Sequence, residues 1–492
     1  MMNIVQVAPE YWPFVKTGGL ADVVDGLSLE LSRRGHQVTV ILPYYRRHID
    51  TTPHPLQTAV DCLGVPMGSS EDWCSVLWAE REIGLTVYFI EHDIYFGRPG
   101  IYHEYWAEYP DNAQRFIFFS RAALQLIKAL HLEPDIIHCN DWQAGFVPVF
   151  LKTHYLHDDT FKNTASIMTI HNMGYQGIFH KSNLYWTQLG WDHFTSIDLE
   201  YYDCLNFLKA GLVYADLITT VSKKYGTEIQ TPEFGYLLDS LLRERSRDIY
   251  GVINGVDYDD WNPEVDPYIP QKYSADDLTG KAVCKAALQE CFGLPVNPDV
   301  PLIGMVSRLV FQKGTDVLMA TMDRLLKLDI QLAVIGTGEP RYERDMNFFA
   351  AVYPERLGVK MIYDNSVAHL VEAGSDMFLM PSRYEPCGLN QIYSLRYGTL
   401  PIVRATGGLD DTVENYDPLT GTGWGFKFFD LTPDAIYNTV VWALSVYEED
   451  KDVWQKLMLT AMAGQYAWDR AAATYERIYR LAKEKRFPSI PA

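Results

Sequence analysis

Apolar residues along the chain alternate between short continuous runs and longer segments in which they recur every three or four positions. Residues 4–8 form one such run, and between residues 20 and 31 the apolar positions fall on one side of a helix. Two adjacent glycines separate these segments. The pattern therefore predicts a strand, a glycine-containing turn and an amphipathic helix at the start of the chain.

The same alternation continues through the first half of the chain. Strands are predicted at residues 37–42, 86–90, 135–138, 165–170 and 217–221, and helices at residues 111–130 and 205–215. Strands that alternate with helices indicate a parallel sheet with helices on both faces. In such sheets ligands bind beyond the carboxyl ends of the strands, so the loops that follow the strands are the candidate sites.

The composition of the sequence changes between residues 251 and 300, where prolines recur among acidic residues and asparagines. This composition predicts an interdomain linker with a covering helix. A second alternating block follows. It predicts strands at residues 302–306, 331–335, 359–363, 377–380 and 400–403, and helices at residues 315–328, 341–351, 367–373 and 469–485. Thr432, as N-cap before Pro433, begins the closing helices.

The predicted fold class is therefore α/β, with two Rossmann-like domains that face each other across a deep cleft. We place the first domain at residues 1–250, the linker and covering helix at 251–300 and the second domain at 301–465. Residues 466–492 are predicted to form a C-terminal helix that packs back toward the first domain.

Two stretches of the sequence are nearly alike, at residues 17–24 and 406–413, and each begins with Thr-Gly-Gly-Leu. Both follow an apolar run and open a helix. Adjacent glycines let a ligand approach the backbone, and the free amides of a first helical turn attract phosphate. Lys16 and Arg404 place a cation near each turn. The pair favours a phosphate site, although each turn alone also fits an ordinary strand-to-helix connection.

Composition narrows the possible partners. The formal net charge of −21 argues against nucleic acid, because binding phosphate backbones requires clustered Lys and Arg. No apolar run approaches the roughly 20 residues that span a bilayer, and the first residues lack a signal-peptide pattern, so we expect a cytoplasmic protein without a membrane partner. The 7 cysteines include no Cys-x-x-Cys pair, which indicates neither a disulfide framework nor a zinc ribbon.

Polar clusters follow the predicted strands. Residues 138–143 and 171–177 are such clusters in the first block. In the second block, Arg308 and Lys313 lie five positions apart in a loop that opens a helix, which suits a clamp for a diphosphate. Residues 381–391 place Glu385 before a glycine-led helix start, and such a carboxylate hydrogen-bonds well to sugar hydroxyls. A solvated cation pair and a Glu favoured by the helix dipole are the structural alternatives.

Taken together, these motifs closely resemble those of bacterial glycogen synthases and plant starch synthases, in order and over essentially the whole chain. The motifs are Lys-Thr-Gly-Gly-Leu-Ala-Asp-Val at 16–23, Thr-Ile-His-Asn with Tyr-Gln-Gly at 169–177, Asn-Gly-Val-Asp at 254–257, Ser-Arg-Leu with Gln-Lys-Gly at 307–314, Glu-Pro-Cys-Gly-Leu at 385–389 and Thr-Gly-Gly-Leu at 406–409. The resemblance implies a retaining glycosyltransferase of the GT-B class. It would move glucose from ADP-glucose to the non-reducing end of an α-1,4-glucan such as glycogen or starch.

The resemblance also implies a role for individual residues. Glu385, with the amides of residues 387–389, would hold the glucose, and His171 and Asp141 would line the same sugar. The donor diphosphate and adenine would be bound by Lys16, Gly18, Gly19, Arg308, Lys313, Tyr363, Cys387, Gly388, Leu389, Thr406, Gly407 and Gly408. Glu10, Asp141 and Asn172 would face the acceptor glucan.

One position departs from the family pattern, because many relatives have His where this chain has Gln143. We therefore assign no proton transfer to it. Asp257 and Asp259 resemble an Asp-x-Asp metal clamp but lie in the acidic linker, and hard cations need several preset oxygens. His138 and His171 lack metal-ligand spacing and are interpreted as structural or site-lining. We expect no metal and no cofactor beyond the donor substrate.

The chemistry implied by the resemblance agrees with these residues. Cleavage at glucose carbon 1 leaves negative charge on the diphosphate, which cations and amide dipoles stabilise. We expect Glu385 to stabilise the sugar rather than attack it. Three alternatives remain: a related enzyme that uses UDP-glucose, a silent glucan-binding scaffold, and a dehydrogenase. The last predicts Gly-x-Gly-x-x-Gly, which neither glycine turn matches. A scaffold predicts the loss of Lys16, Arg308, Lys313 or Glu385, and all four are present.

Overall fold

The computed structural model describes residues 1–105 and 107–488 of the chain, which divide into two compact units. The first unit contains Met1–Val221, Gly226–Gly255 and the chain from Trp468 onward, and the second contains Ser222–Tyr225 and Val256–Ala467. Two domains were expected, but residues 256–300, which we had assigned to a linker, belong to the second unit. The reason is packing, since Cys284 and Leu288 of the covering helix are fully buried in that unit.

The described part of the chain up to Gly255 forms one large sheet, two small sheets (β10-β12-β11 and β6-β7) and several helices. Its strands are β1 (Asn3–Val7), β2 (Gln37–Pro43), β3 (Gln57–Met67), β4 (Ser70–Glu82), β5 (Leu85–Glu91), β6 (His103–Glu104), β7 (Ala107–Glu108), β8 (Ile136–Asn140), β9 (Ala165–Ile170), β10 (Ile178–His180), β11 (Glu200–Tyr201), β12 (Cys204–Asn206), β13 (Leu217–Thr220) and β14 (Ile249–Gly251). Its helices are α1 (Gly19–Arg33), α2 (Asp93–Phe96), α3 (Asn112–Ala129), α4 (Phe146–Lys152), α5 (Leu184–Thr187), α6 (Phe207–Tyr214), α7 (Lys223–Glu228) and α8 (Asp239–Glu244).

The large sheet has the strand order β14-β13-β9-β8-β1-β2-β5-β4-β3. Seven strands are parallel, as predicted, while β4 and β3 add an antiparallel hairpin at one edge. This hairpin was not predicted, because β3 is half exposed and does not form an apolar run. The strand order changes direction at β1, because β2 lies on one side of β1 and β8 lies on the other. The carboxyl ends of β1 and β8 therefore border the crevice where ligands bind in such sheets.

The second unit is built around a six-stranded parallel sheet with the order β17-β16-β15-β18-β19-β20. Its elements are α9 (Thr279–Cys291), β15 (Leu302–Val306), α10 (Thr315–Leu325), β16 (Gln331–Ile335), α11 (Pro340–Val352), β17 (Leu357–Lys360), α12 (Asn365–Gly374), β18 (Met377–Met380), α13 (Asn390–Arg396), β19 (Leu400–Arg404), α14 (Gly407–Thr412), β20 (Phe426–Phe428), α15 (Pro433–Glu449) and α16 (Lys451–Met462). Every predicted element of this block is present. Strand β17 ends at Lys360, so Tyr363 lies in the loop beyond it and not in the strand.

The last helix, α17 (Trp468–Arg486), packs in the first unit. Tyr475 and Tyr479 are almost fully buried there, and the hydroxyl of Tyr479 lies 2.9 Å from Nδ1 of His138. Lys483 forms an ion pair with Asp135 at the start of β8. Trp468 packs so closely on Gly26 of α1 that a Cβ atom there would lie 2.0 Å from its ring nitrogen. The predicted C-terminal segment extended to residue 492, and its last residues, 489–492, lie outside the described residues.

Within the described residues, no helix is both long enough and apolar enough to cross a bilayer. The 7 cysteines are all described and all have free thiols.

Candidate functional site

The second unit has its own strand-order reversal, beside β15, which lies between β16 and β18. Because all six strands are parallel, the loops after β15, β16, β18 and β19 leave the sheet at the same edge. Arg308 and Lys313 follow β15, Glu385 follows β18, and Thr406 follows β19. The fold therefore gathers the predicted donor residues of this unit along one edge of one sheet.

Glycines let these loops touch. At Gly407, where φ is +47°, a Cβ atom would lie 1.9 Å from the carbonyl oxygen of Glu385. At Gly314, where φ is +68°, it would lie 2.0 Å from the carbonyl oxygen of Pro381. No side chain fits these gaps, and L residues also disfavour positive φ. The second Thr-Gly-Gly motif thus holds two strand-end loops against each other, and the amide of Gly408 donates to the carbonyls of Glu385 and Pro386 at 3.1 Å.

An ion pair lies at the centre of this edge. Nζ of Lys313 is 2.5 Å from Oε2 of Glu385, and Oγ of Ser382 donates to the same carboxylate oxygen at 2.9 Å. Glu385 is 6% exposed, and the Lys313 side chain is 18% exposed. The two contacts fix the position of this nearly buried carboxylate. They also leave the other carboxylate oxygen, Oε1, available to accept hydrogen bonds from a ligand.

The arginines on this edge differ in whether their guanidinium groups are already bonded within the protein. Arg308 is exposed, and within the described parts of the chain its guanidinium has no ion pair or hydrogen bond. Arg404, which the sequence placed like Lys16, donates from its guanidinium to the carbonyls of Arg383 and Phe429. Arg383 pairs with Asp316 at 2.7 Å. Arg308 is therefore the cation with its charge open to solvent, whereas Arg404 and Arg383 hold loops in place.

The remaining predicted donor residues divide into buried and exposed groups. Cys387 and Thr406 are buried, at 4% and 1% exposure, so their side chains pack inside the unit. Gly388, with a φ of +72°, and Leu389 precede the first turn of α13. Tyr363 is 82% exposed. A large aromatic ring left this open beside a ligand-binding edge suits stacking on a planar base.

The first unit places Glu10 directly after β1. Its carboxylate accepts from the hydroxyl of Thr17 at 2.6 Å and from the hydroxyl of Tyr102 at 2.7 Å, and the Thr17 amide donates to it at 2.5 Å. Glu10 is only 4% exposed. It therefore anchors the first Thr-Gly-Gly turn, and it does so through both carboxylate oxygens.

The turn itself is open to solvent. Lys16, Gly18 and Gly19 are all exposed, and no heavy atom lies within 4 Å of a Cβ atom built on Gly18. Gly18 is the N-cap of α1, so the amides of the first helical turn face outward. Nζ of Lys16 pairs with Oδ1 of Asp22 at 2.7 Å. Because both side chains are partly exposed, this pair is weak and Lys16 is free to exchange it for an anionic ligand.

Asp141 and His171 meet beyond the ends of β8 and β9. The amide of His171 donates to Oδ1 of Asp141 at 2.7 Å, and Nε2 of His171 lies 3.0 Å from Oδ1 of Asn140. Burial raises the pKa of Asp141 from 3.8 to about 7, although the amides of His171 and Asn172 oppose the shift. Burial lowers the pKa of His171 to about 3. The imidazole is therefore neutral at pH 7, and Asp141 titrates near neutrality.

Asp141 also has a φ of +54°, which a non-glycine residue rarely adopts. Strain of this kind persists where surrounding contacts enforce it and is concentrated at functional sites. Asn172 lies in the adjacent loop, where its Oδ1 accepts from the amide of Gly174 at 2.9 Å. Gln143 is buried, at 6% exposure, and no partner of its Oε1 is found in the described chain.

His138 is almost fully buried in the first unit. It is buried between Thr169 and Tyr479, each of which contacts one ring nitrogen, so its role is structural. Asp257 and Asp259 form a local turn in which the amide of Asp259 donates to Oδ1 of Asp257 at 2.8 Å. Among residues 1–105 and 107–488, no group of three or more His, Cys, Asp or Glu side chains is arranged to hold a metal ion.

Several residues that support the site were not predicted from the sequence. Ser382 and Tyr102 bond the two site carboxylates, Asp22 pairs with Lys16, and Asn140 orients His171. Ser382, Asp22 and Asn140 lie inside the quoted motifs or the polar clusters, so they were detectable as polar neighbours. Tyr102 was not, because it is 92 residues from Glu10.

Comparison with known proteins gives a consistent result. Residues 3–244 match the family described as starch synthase catalytic domain, and residues 290–455 match glycosyl transferases group 1. Glycogen synthase 1 of Geobacter metallireducens is 47% identical over 99% of this chain and 97% of its own length. Glycogen synthase of Koribacter versatilis is 48% identical over 99% of both chains.

Solved structures agree. The catalytic domain of starch synthase IV from Arabidopsis thaliana, bound to ADP and acarbose, superimposes with a TM-score of 0.90 at 32% identity, over 98% of this chain and 99% of that one. Sucrose-phosphate synthase from Thermosynechococcus elongatus shares the fold, with a TM-score of 0.60 at 18% identity over 98% of this chain and 99% of its own. The chain belongs to the glycogen and starch synthase family of glycosyltransferases, with the two-domain α/β fold of the GT-B class.

Proposed function

We propose that this protein transfers the glucosyl group of ADP-glucose to the non-reducing end of an α-1,4-glucan, with retention of configuration at carbon 1. The observation that supports this most is the Lys313–Glu385 pair at the strand ends of the second unit, next to the open cation of Arg308. A carboxylate for sugar hydroxyls and cations for a diphosphate are the two groups that a nucleotide-sugar requires. Family membership supports glucan synthesis, and a related starch synthase binds ADP and acarbose.

In this proposal the cations assist departure of the diphosphate. Cleavage of the bond at glucose carbon 1 puts negative charge on the leaving phosphate and positive charge on the sugar. Arg308 and Lys313 bind the phosphate oxygens and stabilise that charge, while the amides of residues 387–389 add aligned dipoles. Tyr363, exposed beyond β17, stacks on the adenine.

The first unit supplies the sugar-lining and acceptor residues. We propose that neutral His171 and Asp141 hydrogen-bond the donor glucose, and that Lys16 with the amides of Gly18 and Gly19 adds to the phosphate site. Asn172 and Asp141 face the acceptor. Because both oxygens of Glu10 are engaged by Thr17 and Tyr102, Glu10 acts on the acceptor side by shaping this turn.

Glu385 is proposed to stabilise the sugar rather than to form a covalent intermediate. Its Oε2 already accepts from Lys313 and Ser382, which lowers its nucleophilicity. The acceptor hydroxyl then attacks from the face that the phosphate leaves, and the departing phosphate takes its proton. Mass spectrometry of protein quenched during turnover tests this, because a glucosyl adduct on Glu385 contradicts it.

A screen of donors against acceptors tests the proposed function. Purified protein is incubated with ADP-glucose or UDP-glucose and with glycogen, maltoheptaose or no acceptor, and the incorporated glucose is measured. We expect transfer from ADP-glucose to both glucans and much slower transfer from UDP-glucose. A UDP-glucose preference would favour the alternative donor, and glucan binding without transfer would favour the silent scaffold. Addition of EDTA tests the proposal that no metal is needed, and we expect an unchanged rate.

A further inference from the structure

Two exposed tyrosines of the first unit adopt a backbone conformation that L residues avoid. Tyr202 and Asp203, between β11 and β12, have φ values of +48° and +64°. Tyr236 and Leu237, just before α8, have φ values of +48° and +66°, and the Leu238 amide donates to the carbonyl of Gly235 at 2.8 Å. Turns with two positive φ values normally contain Asn and Gly, because other residues are strained there.

The Tyr236–Leu237 turn is held by the side chains of Gln176 and Tyr201. Nε2 of Gln176 donates to the carbonyl of Tyr236 at 3.0 Å and to that of Met173 at 3.2 Å. Gln176 is buried, at 6% exposure, and Asn206 fixes its Oε1 at 2.6 Å. The hydroxyl of Tyr201 donates to the same Tyr236 carbonyl at 3.2 Å. A single amide side chain therefore joins the strained turn to the loop that contains His171 and Asn172.

The strain leaves apolar surface in water. Leu237 is 64% exposed and Tyr236 is 37% exposed, while Tyr175, in the loop bonded to their turn, is 52% exposed. A turn selected for stability would have Asn and Gly here and would expose no large apolar side chains. Backbone strain and exposed apolar surface that occur together next to a polar site indicate a binding role.

We infer that Tyr236, Leu237 and Tyr175 form a platform that binds the acceptor glucan beyond the residues that face its reacting end. This inference rests on the proposed function, because the platform continues from the loop of Asn172. Glucan rings present apolar C–H faces, which pack on exposed aromatic and aliphatic side chains, and their hydroxyls remain in water. The platform lies outside the residues proposed to face the reacting end, so it matters for long acceptors and not for the donor.

Glycine substitutions separate a binding role from a structural one, because glycine relieves positive φ while removing the side chain. For Leu237→Gly we expect a thermal midpoint higher by about 2 °C, since the strain is released. We also expect the KM for glycogen to rise about threefold to tenfold, with the KM for ADP-glucose unchanged. Tyr236→Gly should raise the KM for glycogen in the same way. His131→Gly is the control for the release of strain alone, because His131 is exposed, has a φ of +50° and lies after α3, and its KM for glycogen should not change.

A second measurement does not depend on glucose transfer. Each variant is run, without ADP-glucose, in a native gel that contains glycogen, and its retention is compared with that of the wild type. Weaker retention of Leu237→Gly and Tyr236→Gly, with normal retention of His131→Gly, is the expected result. Normal retention and an unchanged KM for glycogen in both platform variants would overturn the inference, as would an equal effect in His131→Gly. If the wild-type protein transfers no glucose, the proposed function fails, and the gel still tests the platform.

Discussion

Lys313 and Glu385 are 72 positions apart in the sequence, yet they form an ion pair of 2.5 Å at the carboxyl ends of neighbouring strands. Strand β15 leads to Lys313 and strand β18 leads to Glu385, and these two strands are hydrogen-bonded neighbours in a parallel sheet. The pair exists because the strand order brings the two loops together. It is also shielded, so that each charge depends on the other in the unliganded protein.

We predict that Lys313→Met will leave Glu385 as an uncompensated, nearly buried carboxylate. The second unit should lose about 3 kcal/mol of stability, as measured by urea unfolding. Lys313→Met combined with Glu385→Gln should recover most of this loss, since no buried charge remains. Both forms should be inactive, because the cation and the carboxylate both act in the proposed reaction. A double variant as unstable as the single one would show that the pair does not couple the residues.

Lys16→Ala is predicted to reduce kcat/KM for ADP-glucose by about 1.5 to 3 kcal/mol of transition-state stabilisation, the contribution of a hydrogen bond to a charged group. Lys181→Ala is the matched control, because Lys181 forms a similar exposed pair with Asp203 at 2.7 Å. That control should retain wild-type kinetics. Kinetics of Lys16→Ala that equal those of the control would remove Lys16 from the phosphate site.

Gly407→Ala should unfold the donor edge of the second unit. The new Cβ atom would lie 1.9 Å from the carbonyl of Glu385, so the two loops must separate, at a cost above about 3 kcal/mol. Gly293→Ala is the control, with a φ of +69° and no heavy atom within 4 Å of its Cβ position. We expect Gly293→Ala to cost only about 1 kcal/mol and to bind ADP normally by calorimetry. Equal effects of the two changes would mean that the close approach is not important.

The raised pKa of Asp141 should make the stability of the protein depend on pH. Its pKa in the folded protein is raised by burial to about 7 from 3.8, so the fold favours the protonated acid. The stability contributed by this group is therefore complete below the unfolded pKa and is lost as the pH rises through about 7. Asp141→Asn should be more stable than wild type at about pH 8, and the difference should vanish near about pH 4. Asp159→Asn, at an exposed carboxylate of the same unit, should show no such trend in thermal unfolding.

The local elements of this protein were largely predictable from the sequence. The helix over residues 111–130 and the strand over residues 165–170 follow directly from continuous apolar patterns, and the structure places them at Asn112–Ala129 and Ala165–Ile170. Thr432 is the N-cap as predicted, and its hydroxyl accepts from the Ala435 amide at 3.1 Å. These features depend on residues close in sequence, which is why a single sequence suffices.

Features that depend on distant contacts were not predictable. The glycines of the second Thr-Gly-Gly motif were predicted to let a ligand approach the backbone, and the sequence does not show that the carbonyl of Glu385 lies against Gly407. Likewise, Arg404 matched Lys16 by position, whereas the structure engages its guanidinium with two backbone carbonyls. The proline-rich stretch from residue 256 resembles a linker by composition, although its helix α9 is buried in the second unit. A proline-rich composition therefore does not show that a segment is a linker, because buried side chains can fix such a segment in a domain.

A crystal structure of the protein with ADP-glucose, or with ADP and a glucan, would show which residues bind the diphosphate. We expect diphosphate oxygens within hydrogen-bond distance of Nζ of Lys313 and of the Arg308 guanidinium, with the glucose beside Glu385. A nucleotide bound elsewhere, with Arg308 and Lys313 directed away from its phosphates, would contradict it.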